Sequence, residues 1–375
     1  MKLDTTYQIV LELIKASLWG YPAPSFVNQD VYEEMKKHTL ETLPAPILNA
    51  LNMPPELRKE WKLVIYERIA HNVNCRRAQQ MLPISSPYAI LKGTEAAKYY
   101  PEPKYRILGD IDLITSHEDY KKSLQQLIDG GYELNREEER EVALQKDGIT
   151  VELHRSFSIL NDRERAKQFD NIIINSICTE HCLPDDINGL VLLEHINHHL
   201  VDGIGLRHII DWMLFVDKYL TDEKWIDFQK KVNNIGLEKL AITTTHMCEI
   251  YLGLPHRKWY SEADKTLCDQ LMVYILESGN FGNKRSTGRD ISENVFVIAH
   301  NPIEAFRLLQ KRGEYNWKSL QKHSILRPFA WIYQLGRYFN RGLNQSDAVN
   351  EIAMAYTESR KRLELLNSLG VKTRI

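Results

Sequence analysis

The sequence predicts an α+β fold in which a small mixed sheet lies between N-terminal helices and a large C-terminal all-helical domain. Three observations support this prediction. The first 80 residues carry apolar side chains at helical spacing, interrupted by proline-rich breaks. Residues 81–157 alternate strand and helix signals and end in a hairpin. From about residue 165 onward the apolar spacing is helical almost throughout.

These patterns divide the chain into an N-terminal helical segment at 1–60, a sheet domain at 61–165 and a helical domain at 166–375. A chain of 375 residues is long enough to bury a core in each of two domains. The sequence shows no internal repeat and no low-complexity linker.

The individual elements follow from periodicity and from turn residues. Helices are predicted at 5–19, 29–43, 56–80, 117–129, 165–176, 187–201, 206–220, 223–235, 236–252, 262–278, 302–312, 325–340 and 346–368. Strands are predicted at 88–91, 107–114, 142–146 and 149–153. Asp147-Gly148 is a strong hairpin signal between the last two strands. A short helix at 95–100 is expected to have Thr94 as its N-cap, and the charge run Glu137–Glu141 is expected to be a solvated loop.

The composition limits the partners and the location of the protein. A formal net charge of −2 and a sequence pI near 6.7 give no general attraction to nucleic acid or to anionic lipid, so a nucleic-acid partner is not expected. Five cysteines without a disulfide-framework spacing favour a reducing compartment. No apolar stretch approaches the roughly 20 residues that span a bilayer. We therefore expect a cytoplasmic protein that does not enter the membrane.

Two carboxylates lie two positions apart in the apolar run Gly109–Ile114. On a strand, Asp110 and Asp112 share one face, and two like charges on a half-buried strand are costly unless a cation neutralises them. Oxygen ligands suit Mg²⁺ or Mn²⁺. Glu152 is the expected third carboxylate, because strand period places it with Thr150 and His154 on the polar face of a neighbouring strand.

A turn that suits a phosphate precedes these carboxylates. Gly93 and Thr94 lie between a predicted strand and a predicted helix, where glycine lets the backbone approach an anion and the helix N-terminus offers free N–H groups. Thr94 adds a hydroxyl, and Lys92 and Arg106 add positive charge. An alternative remains open for both basic residues, namely that they only pair with the carboxylates.

At these residues the chain resembles a known superfamily. The pattern Leu91-Lys92-Gly93-Thr94, Arg106, Gly109-Asp110-Ile111-Asp112-Leu113 and Val151-Glu152-Leu153-His154 is similar to that of the DNA-polymerase-β-type nucleotidyltransferases. More narrowly, it resembles a poorly characterised bacterial nucleotidyltransferase family with a Leu-Lys-Gly turn. The resemblance covers most of residues 60–285. Thr94 stands where the superfamily commonly has Gly or Ser, and the gap from Gly93 to Asp110 is longer than usual.

The resemblance implies that the sheet domain is a nucleotidyltransferase palm. It implies a nucleotide-binding set of Lys92, Gly93, Thr94, Arg106 and Gly109. It also implies that Asp110, Asp112 and Glu152 are both the catalytic residues and the metal ligands. The expected reaction uses two Mg²⁺ ions to transfer a nucleoside monophosphate from an NTP to a hydroxyl or phosphate of a small-molecule or protein acceptor, with release of pyrophosphate.

A histidine-rich helical face follows in the C-terminal part. His195, His198 and His199 share one face, but the His-Glu-x-x-His arrangement of a zinc protease is absent from it. We expect this face to pack against the palm, with the acceptor or base pocket lined by His154, His195, His199, Arg207 and Asp211. Arg207 and Asp211, one helical turn apart, are expected to form an ion pair.

Two other functions remain open from the residues alone. One is a catalytically inactive nucleotide-binding or scaffold protein with the same fold. The other is a metal phosphohydrolase built on the histidine face.

Overall fold

A computed structural model describes residues 3–160, 162–260, 263–280, 302–317, 324–342 and 361–371. The chain divides into two compact units, residues 1–284 with 369–372 and residues 285–368 with 373–375. The predicted α+β class is confirmed, because a five-stranded mixed sheet is combined with many helices. The predicted domain boundaries at 60 and 165 stay a prediction.

Three helices precede the sheet: α1 (Thr5–Trp19), α2 (Gln29–Lys37) and α3 (Pro55–Gln80). The Asp4 carboxylate accepts a hydrogen bond from the amide of Thr6 and so caps α1. The predicted helix at 29–43 is too long. The structure ends α2 at Lys37, and Thr39 then takes a positive φ of 58°, a conformation that does not continue a right-handed helix.

The sheet contains β1 (Tyr88–Leu91), β2 (Ile111–Thr115), β3 (Glu133–Glu137), β4 (Glu141–Lys146) and β5 (Ile149–His154). Their spatial order is β1-β2-β5-β4-β3. The pair β2/β5 is parallel and the other neighbouring pairs are antiparallel. The β4/β5 hairpin around Asp147-Gly148 agrees with the prediction, since both residues have positive φ.

The strand β3 was not predicted, and the predicted loop at Glu137–Glu141 is wrong at both of its ends. Glu137 ends β3 and Glu141 begins β4, so the loop is limited to residues 138–140. Every residue of β3 is exposed. An edge strand of this kind lacks the alternation of apolar and polar residues that marks a strand in the sequence, and its hydrogen bonds to β4 define it instead.

Two predictions around β2 also need correction. The strand begins at Ile111 rather than 107, because the side chain of Asn72 on α3 binds the preceding backbone: its Nδ2 donates to the carbonyl of Arg106, and its Oδ1 accepts from the amide of Leu108. Thr94 is not an N-cap. The short helix α4 (Gly93–Ala97) begins two residues before the predicted start at position 95, directly after Lys92.

One face of the sheet is covered by α3 and by α5 (Tyr120–Asp129). The apolar side chains on this face belong to a single buried cluster, which contains Ile90, Ile111, Leu113, Leu144, Val151 and Leu153 from the strands, Cys75 from α3 and Leu127 from α5. Because side chains alternate along a strand, the intervening residues of β2 and β5 project from the opposite face. That opposite face carries the predicted site.

Six α-helices follow among the described residues of the first unit: α6 (Arg163–Asn175), α7 (Asp185–Asp202), α8 (Leu206–Lys218), α9 (Asp222–Ile235), α10 (Glu238–Leu252) and α11 (Lys265–Ser278). These bounds agree with the predicted helices to within a few residues. The core of this part includes large aromatic side chains that are fully buried, among them Trp212, Phe215 and Phe228.

The second unit contains α12 (Pro302–Asn316), a 3-10 segment (Ser324–Phe329), α13 (Ala330–Gly342) and a helix at 361–368. A Cβ added at Gly313 would lie 1.9 Å from the carbonyl oxygen of Ala330, so glycine is what permits α12 and α13 to approach so closely. The predicted helix at 346–368 lies outside the described residues up to position 360. Within the part of the chain that is described, no helix combines the length and the apolar character needed to cross a bilayer.

Candidate active site

Asp112 and Glu152 are direct neighbours across the parallel strand pair β2/β5. The same row of the sheet continues to Leu91 on β1 and to Ala143 on β4. Asp112 is 4% exposed and Glu152 is half-buried. Together with His154, the two carboxylates present three potential metal-ligand atoms within 4.8 Å of one another. The sheet therefore brings together two of the three predicted carboxylates.

Asp110 lies immediately before β2 and is exposed. Its backbone carbonyl is 4.0 Å from the position that a Cβ on Gly93 would occupy, so the predicted phosphate turn lies beside the predicted metal ligand. The negative charge of Asp112 raises the pKa of Asp110. The two carboxylates thus repel each other, as like charges at close range do.

Lys92 and His154 both hold the same oxygen of Asp112. The Lys92 Nζ lies 2.6 Å from Asp112 Oδ1, and the His154 Nε2 lies 2.9 Å from it. Burial alone would raise the pKa of Asp112, but the Lys92 ammonium and the His154 ring hold it well below its ordinary value. Asp112 is therefore ionised. The contact with Asp112 agrees with the pairing alternative for Lys92, and its contact with a nucleotide stays a prediction.

Arg136 and Glu141 join the site from strands β3 and β4. One guanidinium nitrogen of Arg136, Nη2, lies 2.7 Å from Glu141 Oε1 and 3.1 Å from Glu152 Oε1. The second oxygen of Glu141 lies 3.3 Å from His154 Nδ1. A continuous series of polar contacts thus links Glu152 through Arg136, Glu141 and His154 to Asp112. Sequence reasoning missed both residues: Glu141 falls in the predicted loop Glu137–Glu141, and Arg136 lies on β3, a strand that the sequence pattern does not predict.

Burial raises the pKa of Glu152 to about 8, and the charges of Asp112 and Asp110 act in the same direction. Glu152 therefore binds a proton at neutral pH in the absence of a cation. A divalent ion bound by the three carboxylates would displace that proton, because metal ligands must be deprotonated.

The other predicted nucleotide-binding residues lie in different environments. Gly93 has a φ of 36° and Gly109 is exposed. The Thr94 hydroxyl donates a hydrogen bond to the side-chain oxygen of Gln79 on α3, at 2.8 Å, and so helps to join α4 to α3. The part of the turn that lies close to Asp110 is the backbone of Gly93.

Arg106 is 3% exposed and forms a bidentate ion pair with Asp211 on α8. Its Nη2 lies 2.7 Å from Asp211 Oδ2 and its Nε lies 3.2 Å from Oδ1, while the Tyr100 hydroxyl donates to the same Oδ1 at 2.9 Å. The predicted ion pair between Arg207 and Asp211 is therefore wrong, because Asp211 pairs with Arg106 instead. Arg207 donates to the carbonyl of Ile107 at 3.4 Å, and its positive charge acts on Asp110, where it partly offsets the rise in the pKa of that carboxyl.

His195 and His199 on α7 meet His208 on α8. The Nε2 atoms of His195 and His199 are 2.9 Å apart, and one ring nitrogen from each of the three residues lies within 4.8 Å of the others. Burial lowers the pKa of all three rings, that of His199 to about 2. The charge of Lys92 also lowers the pKa of His195 and of His199, so this cluster lies near the carboxylate site. Sequence reasoning missed His208, which comes from a different helix.

Two buried carboxylates hold the segment that follows β5. Asp170 on α6 accepts hydrogen bonds from the amides of Phe157 and Ser158, at 2.9 and 2.8 Å. Glu194 on α7 accepts from the amide of Ile159 at 2.7 Å. The Phe157 ring lies beneath the Lys92 ammonium, with 5.8 Å between Nζ and the ring centroid. These contacts fix the chain next to the carboxylates, and sequence reasoning did not identify them.

Clustered carboxylates beside a glycine turn on a mixed sheet are the arrangement that the resemblance to nucleotidyltransferases predicts. The chain belongs to the family described as uncharacterised nucleotidyltransferase, whose model matches residues 27–253, more than half of the chain. The matched range includes every residue of the site described above. No curated protein and no solved structure matches the chain. The predicted nucleotidyltransferase family is confirmed, and the broader polymerase-β-type superfamily stays a prediction.

Proposed function

We propose that this nucleotidyltransferase uses Mg²⁺ or Mn²⁺ to transfer a nucleoside monophosphate from an NTP to a hydroxyl or phosphate of an acceptor, with release of pyrophosphate. The observation that carries the proposal is the pairing of Asp112 with Glu152 on parallel strands, beside Asp110 and the turn at Gly93. The family supports nucleotidyl transfer in general.

The residues fit a hard divalent cation. Three carboxylates supply the oxygen ligands that Mg²⁺ prefers. The charge of Asp112 raises the pKa of Asp110, and burial followed by the charges of Asp112 and Asp110 raises that of Glu152, so a bound cation would relieve the repulsion among these groups. Two such ions, when bound, would polarise the α-phosphate and stabilise charge on the leaving pyrophosphate. In the proposal, Asp110 and Asp112 are ligands, and Glu152 is a ligand that also takes the proton of the acceptor.

Neighbouring residues orient these ligands. His154 holds Asp112 while its other ring nitrogen faces Glu141, an arrangement that fixes both the ring and the carboxylate. The Lys92 ammonium lies 2.6 Å from Asp112 Oδ1. In the proposal, Lys92 and the backbone of Gly93 bind the phosphates of the nucleotide. The bidentate pair with Asp211 favours a structural role for Arg106 over the predicted contact with nucleotide.

The acceptor in this proposal is a small molecule or a protein side chain rather than a nucleic acid, because the chain has a formal net charge of only −2 and no general excess of basic residues. The charge of Arg207 acts on Asp110, and the charge of Lys92 acts on His195 and His199. We assign these three residues to the pocket for the acceptor or the base.

The test is to incubate the protein with α-labelled ATP, CTP, GTP and UTP and a metabolite extract, and to follow label in a new product and pyrophosphate release. Wild type should give both. Asp110→Asn should lose about 100- to 1,000-fold of the rate, since it removes a ligand from a site that acts mainly by charge stabilisation. Asp110 is exposed, so the variant should fold, and Asp129→Asn on the exposed end of α5 is the matched control.

Transfer at the wild-type rate by Asp110→Asn would overturn the proposed function. Nucleotide binding without any pyrophosphate release by wild type would favour the scaffold alternative. Activity that depends on His195 but not on Asp112 would favour the phosphohydrolase.

A further inference from the structure

The three imidazoles of His195, His199 and His208 form a nearly equilateral triangle. Their ring centroids are 4.6, 4.7 and 4.7 Å apart in pairs. Two of the rings come from successive turns of α7 and the third comes from α8. Apolar packing does not need three polar rings with nitrogen atoms turned towards one another, and the 2.9 Å separation of the His195 and His199 Nε2 atoms shows that these nitrogens converge.

The separations of the nitrogens suit one metal ion. Imidazole nitrogens bound to a tetrahedral zinc at about 2.0–2.1 Å lie roughly 3.3 Å from one another. The His195–His199 pair is slightly closer than this, and all three nitrogens already lie within 4.8 Å. Small side-chain rotations would therefore bring them to the distances that a metal requires.

We propose that His195, His199 and His208 bind a first-row transition-metal ion of the zinc type, at a site separate from the three carboxylates. Three imidazoles are a ligand set that such ions favour and that Mg²⁺ does not. The site joins α7 to α8. It leaves one position of a tetrahedral ion for water or for an oxygen of a substrate.

Two features of the surroundings support this site. His208 is 2% exposed, and its Nδ1 lies 3.4 Å from the carbonyl of Gly205, the kind of backbone contact that orients a metal-binding ring. His195 and His199 are half-buried, which gives an ion a route of entry. The positive charge of Lys92 disfavours binding of a metal ion at the histidines, but the ion pair of Lys92 with Asp112 compensates that charge.

The experiment is a titration of chelator-treated, dialysed full-length protein with Co²⁺, followed by visible absorption. A tetrahedral cobalt site gives an intense band, whereas a carboxylate site with several waters does not. Wild type should bind one Co²⁺ with this band, and Zn²⁺ should displace it and raise the melting temperature. His195→Ala and His208→Ala should each weaken binding by more than the 10- to 100-fold that even outer-shell changes typically cause.

Three control variants separate this site from the other candidates. Cys182→Ser removes a ligand from the Cys178–Glu180–Cys182 cluster, His256→Ala removes an exposed histidine, and Asp110→Asn alters the carboxylate site. All three should keep the band. Because Asp110→Asn should lose nucleotidyl transfer and keep the cobalt band, the two proposals fail independently.

Absence of the band from wild type would overturn the metal proposal, as would an unchanged affinity in His195→Ala. Loss of the band in Asp110→Asn or in Cys182→Ser would also overturn it, since the ion would then lie elsewhere. Should His208→Ala fail to fold, as far-ultraviolet circular dichroism would reveal, His195→Ala and His199→Gln decide the question, because both positions are half-buried.

Discussion

Arg136 reaches Glu152 over the small side chain of Ala143, with 3.1 Å between its Nη2 and Glu152 Oε1. The three residues occupy the same row on β3, β4 and β5. A larger residue at position 143 would stand between the two charges. The edge strand thus supplies a positive charge on the Glu152 side of the site, in addition to the Lys92 ammonium beside Asp112.

The affinity for Mg²⁺ should depend on pH through Glu152, whose pKa burial raises to about 8. The protonated carboxyl does not bind a cation, so affinity should rise by up to about tenfold per pH unit below this pKa and level off above it. Calorimetric titration at about pH 6.5 and about pH 8.5 measures the effect. Glu152→Gln should bind more weakly, with a shallower dependence on pH. Equal affinity of wild type at the two pH values would contradict this prediction.

The stability of the protein should fall with rising pH because of Glu194. Burial raises the pKa of this carboxyl from 4.5 to about 8, so the folded state holds a proton that the unfolded state releases. Its contribution is fully present below about pH 4.5 and is lost as pH rises through about 8, by an amount on the order of a few kcal/mol.

The variant Glu194→Gln should remove this dependence. Its amide oxygen can still accept from the Ile159 amide, so the variant should melt at a higher temperature than wild type at alkaline pH and close to it at acidic pH. Glu12→Gln, at an exposed position of α1, is the matched control and should follow wild type. A Glu194→Gln variant that is less stable than wild type at alkaline pH would show that the charged form is the native one.

We expect the buried ion pair of Arg106 and Asp211 to contribute to the free energy of unfolding rather than to nucleotide affinity. Asp211→Asn leaves the Arg106 guanidinium buried without its counter-charge, which typically costs about 3–5 kcal/mol. Asp227→Asn breaks a fully exposed pair with Lys230 and should leave the melting temperature unchanged. A large rise in KM for NTP without loss of stability in Asp211→Asn would instead place this pair in the nucleotide site.

Gly93 and Gly109 offer a matched test of the turn. Gly93 has a φ of 36°, a conformation that L side chains rarely adopt, whereas Gly109 has open space and no such φ. Gly93→Ala should therefore lower the free energy of unfolding by about 1–2 kcal/mol and also raise KM for NTP, and Gly109→Ala should preserve stability. Thermal melting and initial rates measure the two effects. Equal melting temperatures for the two variants would contradict the prediction that an alanine side chain strains the backbone at Gly93.

Local patterns predicted the fold class, the metal-ligand candidates and the glycine turn. The alternation of Ile111, Asp112 and Leu113 indicated which side chain leaves the core, and the hairpin signal at Asp147-Gly148 located the strand that carries Glu152. The parallel pairing of β2 with β5 then made Asp112 and Glu152 neighbours. Each of these inferences needed only a few consecutive residues.

Contacts between distant parts of the chain were not predictable in this way. Arg106 and Asp211 are 105 positions apart, and nothing near either residue distinguishes this pairing from the local one with Arg207. His208 completes the histidine triangle only because α8 packs beside α7. The edge strand β3 is exposed at every residue, so its sequence carried no periodic signal to place Arg136 near Glu152.

The most direct test of the central claim is to count bound Mn²⁺ by electron paramagnetic resonance, with an NTP analogue that cannot release pyrophosphate. The comparison is with a double variant that carries Asp110→Asn and Glu152→Gln. In the presence of the analogue, wild type should bind two more Mn²⁺ ions than this variant does, because the proposed mechanism uses two metal ions. The same number of ions in wild type and in this variant would show that Asp110 and Glu152 do not hold the cations, and would contradict the account.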